Sequence, residues 1–63
     1  SFIQQLPAGY RAVFNLFVIE EKSHKEIAEI LHIQPGTSAS QFARAKNMLV
    51  EMIRKYQHQM ENR

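Results

Sequence analysis

Two helix-start signals close together in the sequence constrain the fold of this chain more than any other feature. Ser23 and Glu26 have the spacing of a capping box, in which the serine hydroxyl and the glutamate carboxylate each accept a hydrogen bond from the other residue's backbone N–H. Gln34 can cap a further helix with Pro35 as its first residue. Only one short helix, ending at His32, fits between the two signals. A short helix, a tight turn and another helix form the helix-turn-helix pattern.

Apolar stripes extend this pattern to three main helices. The first helix is predicted to open near Pro7, because proline is tolerated in a first turn, and the third to run from Pro35 to around His58. We therefore predict an all-α fold, a small helix-turn-helix bundle of three main helices plus a short N-terminal turn, with a long C-terminal recognition helix. The predicted core positions recur at three- and four-residue spacing: Phe2, Ile3 and Leu6 in and beside the turn; Tyr10, Val13, Phe14 and Phe17 in the first helix; Ile27, Ala28, Ile30 and Leu31 in the second; and Phe42, Ala45, Leu49, Met52 or Ile53, Tyr56 and Met60 in the third.

Length and composition indicate one small domain over residues 1–63. A chain of this size buries only about 60% of its unfolded surface, so its core is small. The absence of cysteine excludes disulfides, thiolate zinc sites and cysteine nucleophiles. The longest apolar run, residues 16–19, is far shorter than the roughly 20 residues of a membrane span. No basic and apolar leader opens the chain. We therefore expect a cytoplasmic domain without membrane insertion.

The charge is distributed unevenly along the chain. Three cations against four anions give −1 over residues 1–34, and five cations against two anions give +3 over residues 35–63. A basic C-terminal half is compatible with a polyanionic partner, although a solvated helix surface would have the same charge.

No constellation in the sequence supports an enzyme. The histidines His24, His32 and His58 lack the spacing of a metal site, and Gly36 stands outside any phosphate-binding glycine motif. We therefore expect no catalytic residue, no metal and no cofactor. His32 is better explained by the turn after the second helix, where a residue with positive φ is usual and histidine is enriched.

The side of the third helix opposite its apolar stripe carries residue types that suit DNA. An α-helix fits the major groove, where arginine can bond guanine and glutamine can bond adenine in a bidentate manner. Lys46 projects on the side of the apolar stripe, so we expect it to reach a phosphate only at the edge of a contact with DNA. The start of the second helix offers free N–H groups and the ring of His24 to a phosphate. The exposed side of the third helix consists of Thr37, Ser40, Arg44 and Asn47, with Gln41 beside it.

Three segments together resemble region 4 of the extracytoplasmic-function sigma factors of the sigma-70 family. Residues 6–14, LPAGYRAVF, are similar to its L-P-x-x-x-R-x-V-F opening. Residues 23–31, SHKEIAEIL, resemble its S-x-x-E-I-A-x-x-L helix, and residues 36–46, GTSASQFARAK, resemble its recognition helix G-T-x-K-S-x-L-x-R-A-K/R. The matches occur in order and with the correct spacing.

This resemblance implies binding of double-stranded DNA at the −35 promoter element, docking on the RNA polymerase β-subunit flap and, in many members, inhibition by an anti-sigma factor. It also implies a longer parent protein, because 63 residues cannot hold the domain that melts the −10 region. The chain would then be an excised C-terminal domain. The residues that match DNA-contacting positions are Thr37, Ser40, Gln41 and Arg44, and those that match the phosphate-side start of the preceding helix are Ser23, His24 and Lys25.

Three departures from the family pattern have physical consequences. Ala39 stands where a lysine or arginine is frequent, which predicts weaker autonomous DNA binding, and His32 replaces the turn glycine. Ser38 stands where many relatives bury a valine, which predicts less apolar packing at this point of the core. Arg11 is expected to pair with Glu26 or Glu29 across the bundle.

Two alternatives remain at this point. A response-regulator DNA-binding domain of the LuxR type shares a similar helix-turn-helix, but the L-P-x-x-x-R opening and the R-A-K run disfavour it. A helical protein-interaction module would use the apolar excess of Leu16, Val18 and Ile19 as its docking surface. Such a module predicts DNA affinity with almost no salt dependence.

Overall fold

The computed structural model describes residues 1–61, with Glu61 described through its backbone. A short 3₁₀ turn, Ile3–Gln5, precedes helix α1, Ala8–Phe14, which continues directly into a π-helical turn, Asn15–Ile19. Helix α2 spans His24–Leu31 and helix α3 spans Pro35–Glu61. All these elements are helical, and the described part of the chain contains no strand, which confirms the all-α prediction. Arg63, one of the cations in the C-terminal half, lies outside the described residues.

The first helix begins close to the predicted position but ends in an unpredicted way. Pro7 is the N-terminal cap residue, with ψ at 149°, and its carbonyl accepts from the backbone N–H of Arg11 at 2.9 Å. At the other end, the N–H of Glu20 donates to the carbonyl of Asn15 at 3.1 Å, five residues back, which is the π-helical pattern. Glu21 then takes a left-handed conformation with φ at 57°.

The helix-turn-helix boundaries form as the local sequence predicts. The Ser23 hydroxyl accepts from the N–H of Glu26 at 3.1 Å, and the Glu26 carboxylate accepts from the N–H of Ser23 at 3.0 Å. His32 ends α2 in the left-handed region, with φ at 58° and ψ at 45°. Helix α3 begins at Pro35 and extends a few residues past the predicted end, to Glu61.

The core lies where α1, α2 and the N-terminal half of α3 meet. Rings from every one of these elements form an aromatic cluster: the Phe14 and Phe42 centroids are 6.0 Å apart, those of Phe17 and Phe42 4.5 Å, and those of Phe17 and His24 4.4 Å. Around this cluster lie the fully or nearly fully buried residues Leu6, Val13, Ile27, Ala28, Ser38 and Ala45.

The core predictions for Ile30, Tyr56 and Met60 are wrong because no neighbouring element covers these residues. Ile30 is 49% exposed, since α2 packs through its Ile27 and Ala28 side. The 27 residues of α3 make a helix roughly 40 Å long, and the molecule measures 46 × 18 × 16 Å, so the distal half of α3 projects beyond the bundle. Tyr56 is consequently 51% exposed, although its ring still meets Phe2 edge-on at 5.8 Å. Ile53 and Met60, on the same stripe, are exposed as well.

The predicted ion pair of Arg11 is also wrong. Its Nη1 donates to the backbone carbonyl of Gln4 at 3.1 Å, which ties α1 to the 3₁₀ turn. Arg11 forms no ion pair with Glu26 or Glu29. None of the described helices carries an apolar stretch long enough to cross a membrane.

Candidate nucleic-acid interface

The N-terminal half of α3 presents one continuous polar surface to solvent. At about 100° per residue, Thr37, Ser40, Arg44 and Asn47 fall within an arc of roughly 80°, and all are exposed. The buried residues Ser38 and Ala45 lie on the other side of the helix and hold it against the bundle. Packing of that side therefore fixes which residues of α3 face outward.

Arg44 is available for an external partner. Its side chain is exposed, and within the described part of the chain it forms no hydrogen bond or ion pair. By contrast, Arg54 lies 3.6 Å from the Glu51 carboxylate further along α3. A guanidinium without an internal carboxylate keeps all five donors for a base edge or a phosphate.

Gln41 and Lys46 lie at the margins of this surface. Gln41 is half-buried, and its amide oxygen lies 3.9 Å from the position that a β-carbon would take on Gly9, so the side chain borders α1. Lys46 is exposed but lies about 160° around the helix from Arg44. One straight groove cannot receive both cations, and contact of Lys46 with a phosphate at an edge stays a prediction.

The start of α2 provides a second polar surface. Lys25 and Ser23 are both exposed there. The Ser23 hydroxyl oxygen accepts the capping hydrogen bond, and its single O–H would have to leave the Glu26 carboxylate in order to donate to a phosphate. Glu26 lies in the same turn, and the backbone N–H of Ser23, followed by its hydroxyl, holds the pKa of that carboxyl below its ordinary value. A carboxylate close to the helix start offsets part of the positive potential that a phosphate would meet.

His24 is the one predicted contact residue whose ring lies within the bundle. The ring stacks on Phe17 with an interplanar angle of 11°, and Nδ1 lies 2.9 Å from the hydroxyl oxygen of Ser38. This arrangement was not predicted from the sequence. A signal for it was present, because Ser38 lies one turn before Phe42 on the apolar stripe, and a polar group on a core face must find a partner.

The described residues contain no group of three or more His, Cys, Asp or Glu side chains that could hold a metal ion. The exposed arc of α3 and the start of α2 instead offer hydrogen-bond donors and the cations Arg44 and Lys25 on a rigid helical frame. Such a surface suits a phosphate backbone and base edges.

Comparison with known protein families gives one match. The family model described as "Sigma-70, region 4" matches residues 1–49, which comprise the 3₁₀ turn, α1, α2 and the part of α3 that packs in the bundle. No curated protein and no solved structure gives a significant match to the chain.

Proposed function

Since the chain belongs to the sigma-70 region 4 family, whose members are DNA-binding domains of transcription initiation factors and not enzymes, we propose that it recognises the −35 promoter element for RNA polymerase. In this proposal it is the C-terminal domain of an extracytoplasmic-function sigma factor and acts in the cytoplasm as part of a longer protein. The family membership leaves the LuxR-type alternative without support.

The N-terminal half of α3 would lie in the major groove of the promoter. Arg44, at the centre of the exposed arc, is suited to a bidentate bond with the O6 and N7 atoms of a guanine. Thr37 and Ser40 are short enough to bond base edges or phosphates without holding the helix backbone away. Gln41, at the border with α1, would contact an adenine only at the margin of the groove. Lys46 would reach a phosphate at the opposite edge.

The start of α2 would hold the phosphate backbone beside that groove. Ser23 and Lys25 can donate to phosphate oxygens, and the unpaired N–H groups of the first turn add partial positive charge. His24 stands between them in the sequence, but Ser38 occupies its Nδ1. Phosphate contacts of this kind set the position of a protein on the duplex, whereas base contacts set its specificity.

The proposed protein partners use a different surface. Val18 and Ile19, on the π-helical turn, are 47% and 64% exposed. Their apolar side chains are available for docking on the β-subunit flap or for an anti-sigma factor. In this proposal the same domain binds DNA through one surface and proteins through another, so docking of a protein partner is no longer an alternative to DNA binding.

The observation that carries the proposal is that Arg44 is exposed and has no hydrogen bond or ion pair with any residue that the structure describes. Selection of bound duplexes from a random DNA pool at a stated salt concentration tests it. We expect the selected duplexes to share a short common sequence. The logarithm of their binding constant should fall linearly with the logarithm of the salt concentration, with a slope of about −2 to −3. Each neutralised phosphate contributes about −0.9 to this slope. Duplexes without a common sequence, bound with a slope near zero, would instead favour a module that binds proteins alone.

A further inference from the structure

Ser38 is a fully buried polar residue in a small apolar core. Its side chain is 0% exposed, and it lies on the face of α3 that packs against α2. The hydroxyl oxygen makes one side-chain contact, at 2.9 Å, with Nδ1 of His24. A buried hydroxyl that loses its partner is costly, so this hydrogen bond constrains both helices.

The ring of His24 is held from more than one direction. Phe17 covers one face at a centroid distance of 4.4 Å, and Phe42 lies 6.0 Å away at an angle of 54°. Swinging the ring outward to a phosphate would break the bond to Ser38 and remove the stacking on Phe17. The resting geometry therefore favours a role inside the bundle.

The positions of the two residues connect the two polar surfaces. His24 is the first residue of α2, between Ser23 and Lys25. Ser38 lies in the first turns of α3, next to Thr37 and two residues before Ser40. The hydrogen bond thus joins the N-terminal parts of α2 and α3, between the polar surface at the start of α2 and the polar surface of α3.

We propose that His24 and Ser38 form a positioning pair that fixes the register of α3 relative to the start of α2 for DNA recognition. His24 acts through Ser38 and not as a phosphate contact. This inference rests on the proposed function, since it concerns how the same surface achieves specificity. Sequence-specific binding requires phosphate and base contacts to be made together, whereas non-specific binding tolerates a shift of one helix against the other.

The test uses Ser38→Ala, His24→Phe and the double variant. Affinities are measured for a duplex selected by the wild-type chain and for a scrambled duplex of the same composition. We expect each single variant to bind the selected duplex about tenfold more weakly, the equivalent of one lost base contact, and the scrambled duplex within about twofold of wild type. The double variant should lose no more affinity for the selected duplex than the single variant that binds it more weakly, because the two residues act through one bond.

Controls separate this role from simple damage to the fold. His58→Phe changes a histidine far along α3 and should leave both affinities unchanged. Thermal unfolding by circular dichroism checks that each variant is folded at the assay temperature. Independently of any variant, NMR of the wild-type chain should show a hydrogen bond between His24 Nδ1 and the Ser38 hydroxyl, with a slowly exchanging proton on whichever of the two groups donates it. Absence of that bond overturns the proposal even if a variant does not fold.

The outcomes also separate the inference from the proposed function. If His24→Phe weakens both duplexes equally and reduces the salt slope while Ser38→Ala has no effect, His24 is a phosphate contact and the positioning role is refuted. If the variants keep the wild-type ratio between the duplexes, the inference alone fails. A wild-type chain that selects no sequence refutes the proposed function, and the inference with it.

Discussion

Replacing His32 by glycine should stabilise the protein. His32 ends α2 with φ at 58° and ψ at 45°, a left-handed conformation in which the β-carbon of any residue except glycine crowds the following carbonyl. Its backbone N–H donates to the carbonyl of Ala28, so the turn geometry is required by the end of the helix. The ring itself is exposed, and its removal loses little burial.

The expected magnitude is a difference between two terms. The left-handed conformation costs a non-glycine residue about 1–2 kcal/mol, and histidine tolerates it better than most residues. Glycine avoids this cost but loses about 0.5–1 kcal/mol more on folding, because it is more flexible in the unfolded chain. The net gain for His32→Gly is about 0.5–1 kcal/mol. In a domain of this size that corresponds to a rise in melting temperature of about 2–8 °C.

Thermal and urea unfolding followed by circular dichroism measure this gain. His32→Ala is the matched control, since it removes the ring but keeps the β-carbon. Its melting temperature should be no higher than that of wild type. Glu21→Gly, at the other left-handed position with φ at 57°, should also be stabilising. If His32→Gly melts at or below the wild-type temperature with an unchanged helical spectrum, the reasoning about this turn is refuted.

Three further changes test other parts of the fold. Ser23→Ala removes the cap of α2 and should lower the free energy of unfolding by about 1 kcal/mol in urea titrations; no loss would contradict the capping role. The hydrogen bonds from Ser23 hold the pKa of Glu26 below its ordinary 4.5, so the stabilisation they give is complete above that pH and is lost as the pH falls through the lowered pKa of the folded state. Glu26→Gln should therefore flatten the acid limb of the stability profile measured by thermal unfolding, and an unaltered limb would rule this out. Phe17→Leu removes the ring that stacks on both Phe42 and His24, and should lower the melting temperature by several degrees, since aromatic contacts add about 0.5–1.5 kcal/mol beyond burial.

Local chemistry was sufficient to predict most helix boundaries from the sequence. The capping box at Ser23, the left-handed turn at His32 and the start of α3 at Pro35 each depend on residues within one turn of the boundary. The π-helical turn was not predictable in this way, because Asn15–Ile19 contains no glycine or proline that would mark a change of helix type, and no side chain caps the turn. The spacing of the apolar residues indicated only that this segment holds more apolar side chains than one buried face needs.

Periodicity identifies which face of a helix is apolar, but not whether another element covers it. Ile30 and Tyr56 both lie on apolar stripes, yet about half of each side chain is exposed. Helix α2 packs through a different side from that of Ile30, and the short helices α1 and α2 do not cover the distal half of α3, where Tyr56 lies. The same limit applies to the candidate interface. The exposed arc of α3 around Arg44 follows from the stripe, whereas the inward orientation of His24 depends on Phe17 and Ser38, which are distant in the sequence.

The central claim is that Arg44 contacts a base in the DNA groove, and one comparison tests it most directly. Arg44→Ala is set against Arg54→Ala, which removes the same charge from an exposed position further along α3, paired with Glu51. Both are titrated with the selected duplex at one salt concentration. We predict that Arg44→Ala weakens binding by about 1–3 kcal/mol and relaxes the preference at one base pair, while Arg54→Ala stays within about 0.5 kcal/mol of wild type. Equal small losses in both variants would contradict the claim.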